Sequence, residues 1–146
     1  MNSLMTPLSD WDAGVLERLP TPLRRVASDS RRVLPGDVFL AFRGEYADGR
    51  DYIASALERG AAAVLWDPAE GFVWPAQWAN TPNLAVPALR QRAGMVASQA
   101  LGHPSRAMLM VGITGTNGKT SISHWLAQAW TLLGRKTALI GTVGNG

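Results

Sequence analysis

The chain has 146 residues, of which 47% are apolar, carries a net charge of +3 and contains no cysteine; this suffices for one ordinary domain or two small ones and excludes a disulfide framework or thiolate metal site. Its arginines are scattered, with short pairs at Arg24 and Arg25 and at Arg31 and Arg32, rather than gathered into a basic stripe, which argues against a nucleic-acid partner. Residues 1–12 lack the pattern of an export signal and the longest apolar stretch, 61–66, is too short to span a bilayer, so no membrane insertion and a cytoplasmic location are expected.

An opening helix is predicted over 10–19, with Trp11, Val15, Leu16 and Leu19 on one side and Pro20 and Pro22 ending it. A short apolar strand follows over 38–42, introduced by the turn Leu34-Pro35-Gly36-Asp37. The turn Ala47-Asp48-Gly49-Arg50 precedes a helix over 52–59, which Gly60 closes. Strands over 62–66 and 83–86 continue the alternation of a small α/β layer. Between them, 67–82 holds three prolines and two tryptophans and reads as a surface loop with partly buried aromatic anchors. Pro87 looks like a hinge, so domains are expected at 1–87 and 88–146, the second opening with a helix over 88–101. A strand over 108–113, a helix over 121–133 ended by Gly134 and a parallel strand over 137–140 would complete one βαβ unit. Such a unit leaves sheet edges and a helix face uncovered, so residues beyond about 108 are expected to be less stable than those before.

The junction of that strand and helix carries the chemistry. Gly115-Thr116-Asn117-Gly118-Lys119-Thr120 lies between apolar Leu109, Val111 and Ile113 and a helical face of Ile122, Trp125, Leu126, Ala129 and Leu133. Backbone amides in such a turn, together with a helix N-terminus, form a nest for phosphates, which Lys119 would neutralise while the Thr120 hydroxyl ligates magnesium. The loop is a shortened variant, since Gly112 lies one residue too early and Gly115 two too late for the general phosphate-loop spacing. His103 reads as a turn residue and His124 as an exposed helix residue, neither with a metal-ligand partner at useful spacing. Asp29, Asp37 and Asp48 each flank a turn, where hydrogen bonding to nearby backbone accounts for them.

Thr114-Gly115-Thr116-Asn117-Gly118-Lys119-Thr120, Gly141-Thr142-Val143-Gly144-Asn145-Gly146, Asp29-Ser30-Arg31 and Pro35-Gly36-Asp37-Val38-Phe39 together resemble the Mur ligases of bacterial peptidoglycan synthesis. Ala47-Asp48-Gly49-Arg50-Asp51-Tyr52-Ile53 and the 141–146 stretch make the chain most similar to the MurE branch, which attaches lysine or meso-diaminopimelate to UDP-N-acetylmuramoyl-L-alanyl-D-glutamate. The resemblance implies an α/β fold with a small UDP-binding domain, followed by the first βαβ unit of a truncated phosphate-loop ATP-binding domain. It implies UDP contacts at Ser28, Ser30, Glu45, Tyr46 and Ala47, and an ATP cradle at Gly115, Thr116, Asn117, Gly118, Lys119, Thr120 and Ser121, with Lys119 catalytic and Thr120 on Mg2+. The implied reaction is an ATP-dependent amide ligation through an acyl phosphate, with the UDP-linked dipeptide and a diamino acid as partners. The remaining catalytic regions would lie beyond residue 146, so this stretch alone is expected to be inactive. The alternatives are the MurF branch, which adds D-alanyl-D-alanine, and a non-catalytic UDP-sugar-binding fragment.

Overall fold

The structure, a computed structural model, describes residues 13–19, 22, 25–141 and 144–145. The expected opening helix therefore lies partly outside the described residues; what is seen of it is a tight helical turn, Ala13–Arg18. The chain separates into two compact units, Met1–Ala107 and Met108–Gly146.

The first unit is built on a parallel sheet whose strands lie side by side in chain order: β1 (Val26–Ala27), β2 (Val38–Ala41), β3 (Ala63–Trp66) and β4 (Asn83–Ala85). The register pairs Val26 with Val38, Val38 with Ala63, and Leu65 with Leu84. Because side chains alternate across a strand, β2 sends Val38 and Leu40 to one face and Phe39 and Ala41 to the other. All four are buried, as is usual for a strand of a parallel sheet covered on both sides.

Val38, Leu40, Ala63 and Leu65 pack with Leu16, Leu19, Val86, Leu89 and Val96, the last two from helix α2 (Leu89–Ala100). On the other face, Ala27, Phe39, Ala41 and Val64 meet Val33 together with Ile53 and Ala56 of helix α1 (Ile53–Glu58). Segment 67–82 covers the same face with its aromatic anchors. Trp66 meets Phe72 edge-on at 5.5 Å between centroids and stacks with Trp74 at 6.0 Å, and Trp74 donates from Nε1 to the Trp78 carbonyl at 3.0 Å.

The expected boundary at Pro87 gives way to one after Ala107, and the reason lies in α2. Leu89 and Val96 are fully buried in the first core. Buried Asp67, just past β3, accepts from the Leu89 amide through Oδ2 at 3.1 Å and from the Ala69 amide through Oδ1 at 3.0 Å. A carboxylate at a helix N-terminus satisfies an orphan amide and complements the helix dipole, so α2 is anchored to the sheet before it.

The second unit holds helix α3 (Lys119–Leu132) and an antiparallel pair of two-residue strands, β5 (Ile140–Gly141) and β6 (Gly144–Asn145). Two expectations are corrected here. No strand forms over 108–113, and Ile140 pairs antiparallel within 140–145 rather than parallel through a crossover. A parallel strand is held by flanking strands and by layers on both faces. Leu109, Val111 and Ile140 are instead 72%, 49% and 84% exposed.

Candidate functional site

In the second unit the shortened loop turns sharply and then becomes helix. Gly115 has φ +141° and Gly118 φ +76°, and α3 starts at the next residue, Lys119. At Gly118 a side chain would force the left-handed region, which L residues avoid. Residues 115–121 are all exposed. The Lys119 ammonium folds back over the turn and donates to the Gly115 carbonyl at 2.5 Å, which places a cation at the turn that leads into α3. Amides, one ammonium and the Thr120 and Ser121 hydroxyls form a donor set that suits a polyanion with a hard cation. Ordinary helix contacts account for His124, whose Nδ1 lies 2.8 Å from the Thr120 carbonyl. His103, in a positive-φ turn at +57°, has its Nδ1 3.3 Å from Ser98 Oγ. Among the described residues no group of three or more His, Cys, Asp or Glu side chains gathers to hold a metal.

In the first unit, the two turns singled out from the sequence leave the carboxyl ends of neighbouring parallel strands, Ser28 and Ser30 after β1 and residues 45–47 after β2. That edge is where open α/β sheets bind ligands. Glu45, Tyr46 and Ala47 line one cavity of about 330 Å³ with Arg43, Gly44 and Asp48. Tyr46 is 94% exposed and so packs against no core. Ser28 and Ser30 are not part of that cavity's wall. Ser28 is exposed, whereas Ser30 is buried and opens the tight turn Ser30–Arg32.

Local hydrogen bonds fix both turns, as expected for the aspartates. Asp29 accepts from the Arg31 amide at 3.0 Å and pairs with the Arg31 guanidinium at 2.9 Å. The Arg31 side chain thereby holds the Asp29 carboxyl down from its usual 3.8 to about 2. Asp37 accepts from the Leu34 amide at 2.8 Å. Residues 44–47 close through a Gly44 amide to Ala47 carbonyl bond of 2.8 Å, and Arg43 and Asp48 bridge antiparallel below them. At the base the Gly49 amide reaches the Phe42 carbonyl at 2.9 Å, and a Cβ at Gly49 would come within 2.8 Å of that oxygen. Only glycine fits this approach.

Beneath the turn lies a charged network that sequence reading missed. The Arg50 side chain is 6% exposed. It donates from Nε and Nη2 to Asp48 at 2.9 and 2.6 Å, from Nη2 to Glu70 at 3.0 Å, and from Nη1 to the Ala69 carbonyl at 2.6 Å, with Phe72 under its plane at 5.4 Å. This hydrogen bonding lowers the Asp48 carboxyl below its ordinary range and raises the Arg50 guanidinium. The sequence marks Asp48 and Arg50 only as turn residues, and Glu70 sits 20 positions on, in a segment with no periodicity.

A family model described as "Mur ligase family, catalytic domain" matches residues 22–103, more than half of the chain. The chain belongs to the Mur ligase family. A Chromobacterium violaceum relative named UDP-N-acetylmuramoyl-L-alanyl-D-glutamate--2,6-diaminopimelate ligase is 70% identical over 146 residues, which is 100% of this chain and 29% of that protein. A solved structure of a protein of the same name superposes on this Mur ligase chain with a TM-score of 0.60 and 31% identity, covering 84% of this chain and 24% of that one. The MurF ligase of Thermotoga maritima, solved in complex with ADP, gives a TM-score of 0.56 and 30% identity over 81% of this chain and 25% of its own. This Mur ligase chain thus spans less than a third of the length of these relatives. No helix among its described residues is long and apolar enough to cross a membrane.

Proposed function

We propose that this chain is the front portion of an ATP-dependent amide ligase that joins meso-diaminopimelate to UDP-N-acetylmuramoyl-L-alanyl-D-glutamate. The observation that carries this reading is the glycine turn with Lys119 folded over it at the start of α3, in a chain 70% identical to a relative named for that reaction. That name favours diaminopimelate over lysine as the added amino acid, and it outweighs the MurF alternative, whose solved relative is 30% identical. Residues 115–121 would hold the phosphates of ATP and Thr120 one position on Mg2+, whose other ligands would come from outside the described residues. Ser28, Ser30, Glu45, Tyr46 and Ala47 would hold the UDP end of the substrate.

When bound, ATP supplies the phosphoryl group that turns the D-glutamate side-chain carboxylate into an acyl phosphate, from which the incoming amine displaces phosphate. Lys119 would balance charge on the transferring group, and the first-turn amides of α3 would orient it. Such a site works by positioning and charge stabilisation and needs no protein nucleophile. The work is that of a cytoplasmic enzyme whose substrates are soluble.

The test uses the full-length protein, titrated calorimetrically with ATP, with the UDP-linked dipeptide and with each diamino acid, alongside turnover. Lys119→Ala is expected to lower kcat by at least about hundredfold, the scale for removing one charge-stabilising donor, with binding of the UDP-linked dipeptide unchanged. Wild-type protein that ignores the UDP-linked dipeptide, or a Lys119→Ala variant with undiminished turnover, would overturn the reading. Binding without turnover in the full-length protein would favour the UDP-sugar-binding module instead.

A further inference from the structure

Glu70 holds a backbone conformation that ordinarily belongs to glycine, φ +60° and ψ +25°, next to Gly71 at φ +74°. A non-glycine residue persists in that region when its surroundings over-determine it, and such residues concentrate at functional sites. The Glu70 carboxylate divides its oxygens between two arginines: Oε1 accepts from Arg43 Nη1 at 2.7 Å and Oε2 from Arg50 Nη2 at 3.0 Å. Arg43 opens the 44–47 turn. Asp48, which closes it, is held by Arg50. Both stems of the turn are therefore tied to the segment that follows β3, and Arg50 also clasps that segment through the Asp67 and Ala69 carbonyls at 3.3 and 2.6 Å.

We propose that Arg50 and Glu70 are positioning residues: without touching substrate, they preset the turn of Glu45, Tyr46 and Ala47 for the nucleotide end of the UDP-linked substrate. The proposal rests on the function given above. Arg50 is the buried half of the device. Its planar fork engages two carboxylates and two carbonyls at once, which a lysine cannot reproduce. Glu70 is the exposed half, with its side chain 54% exposed, and it extends the hold to the far stem at Arg43. Ordering a loop on binding costs affinity, and a turn already held in place avoids that cost.

The test uses the full-length protein with Glu70→Gln, Glu70→Gly and Arg50→Lys. Affinities for the UDP-linked dipeptide and for ATP are measured by calorimetry, stability by urea unfolding, and exchange of the Gly44 and Gly49 amides by mass spectrometry or NMR. Glu70→Gln is expected to weaken the UDP-linked dipeptide about threefold to fivefold, the upper part of the range for an exposed ion pair, because Glu70 pairs with two arginines. ATP affinity should hold within about twofold, and both amides should exchange faster. Glu70→Gly should show the same loss with no fall in the urea midpoint, because relief of the left-handed strain offsets the missing pairs. Arg50→Lys should lose more. Wild-type binding that both Glu70 variants match would overturn the proposal alone, as would losses that affect ATP equally and follow the urea midpoint. A wild type that does not bind the UDP-linked dipeptide would overturn the underlying function and the proposal with it.

Discussion

Asp29 shows how a short local pattern fixes a turn and also tunes its response to acid. Its carboxylate accepts from the backbone and side chain of Arg31, two residues on, and its pKa falls to about 2. A carboxyl whose folded pKa lies below the unfolded value adds stability that is complete above about pH 4 and is lost as pH falls toward 2. The Asp48 shift has the same sign. Urea midpoints are therefore expected to be flat from neutrality to about pH 5 and to fall between about pH 4 and 2. Asp29→Asn should remove a small part of that fall, small because Arg31 is 83% exposed. An Asp29→Asn profile that matches wild type would show that this pair contributes nothing.

Among elements, β2 and β3 each send buried side chains into both cores. Phe39 is fully buried between α1 and the sheet, so Phe39→Ala should cost about 3–5 kcal/mol. Thermal or urea unfolding checks this, and a loss under 1 kcal/mol would mean that the face collapses readily. Strands β2, β3 and β4 and helices α1 and α2 could be read from the sequence because each has an apolar pattern bounded by Gly or Pro. Strand β1 could not, since Val26 and Ala27 alone offer no period. The glycine turn that leads into α3 was legible because Gly115 to Thr120 lie within a few residues of one another. The Arg50 network was not, because it unites Arg43, Asp48 and Glu70 only once β2 and β3 have paired. The 108–113 segment misled because apolar residues signal a strand only where partners exist to receive it.

For the whole molecule, the two units differ in how much apolar surface they bury. The first encloses two clusters against one sheet, while in the second Leu109, Trp125, Leu132 and Ile140 are 72%, 69%, 87% and 84% exposed. Local stability follows such burial. Amides over 108–141 are accordingly expected to exchange faster than those of β2, β3 and α2. Equal protection in both units by hydrogen exchange would contradict this.

The strand order of the first unit also bears on how the chain is made. Each strand after β1 lies beside the one before it in sequence, so during synthesis every strand from β2 onward emerges after a partner has left the ribosome. The sheet can grow by addition at one edge, with no strand wedged between two that have already paired. Helix 89–100 then seals the Leu40 face as the last piece to arrive. Assembly in this order keeps contacts short along the chain and shortens the time for which an open sheet edge is displayed to other nascent chains.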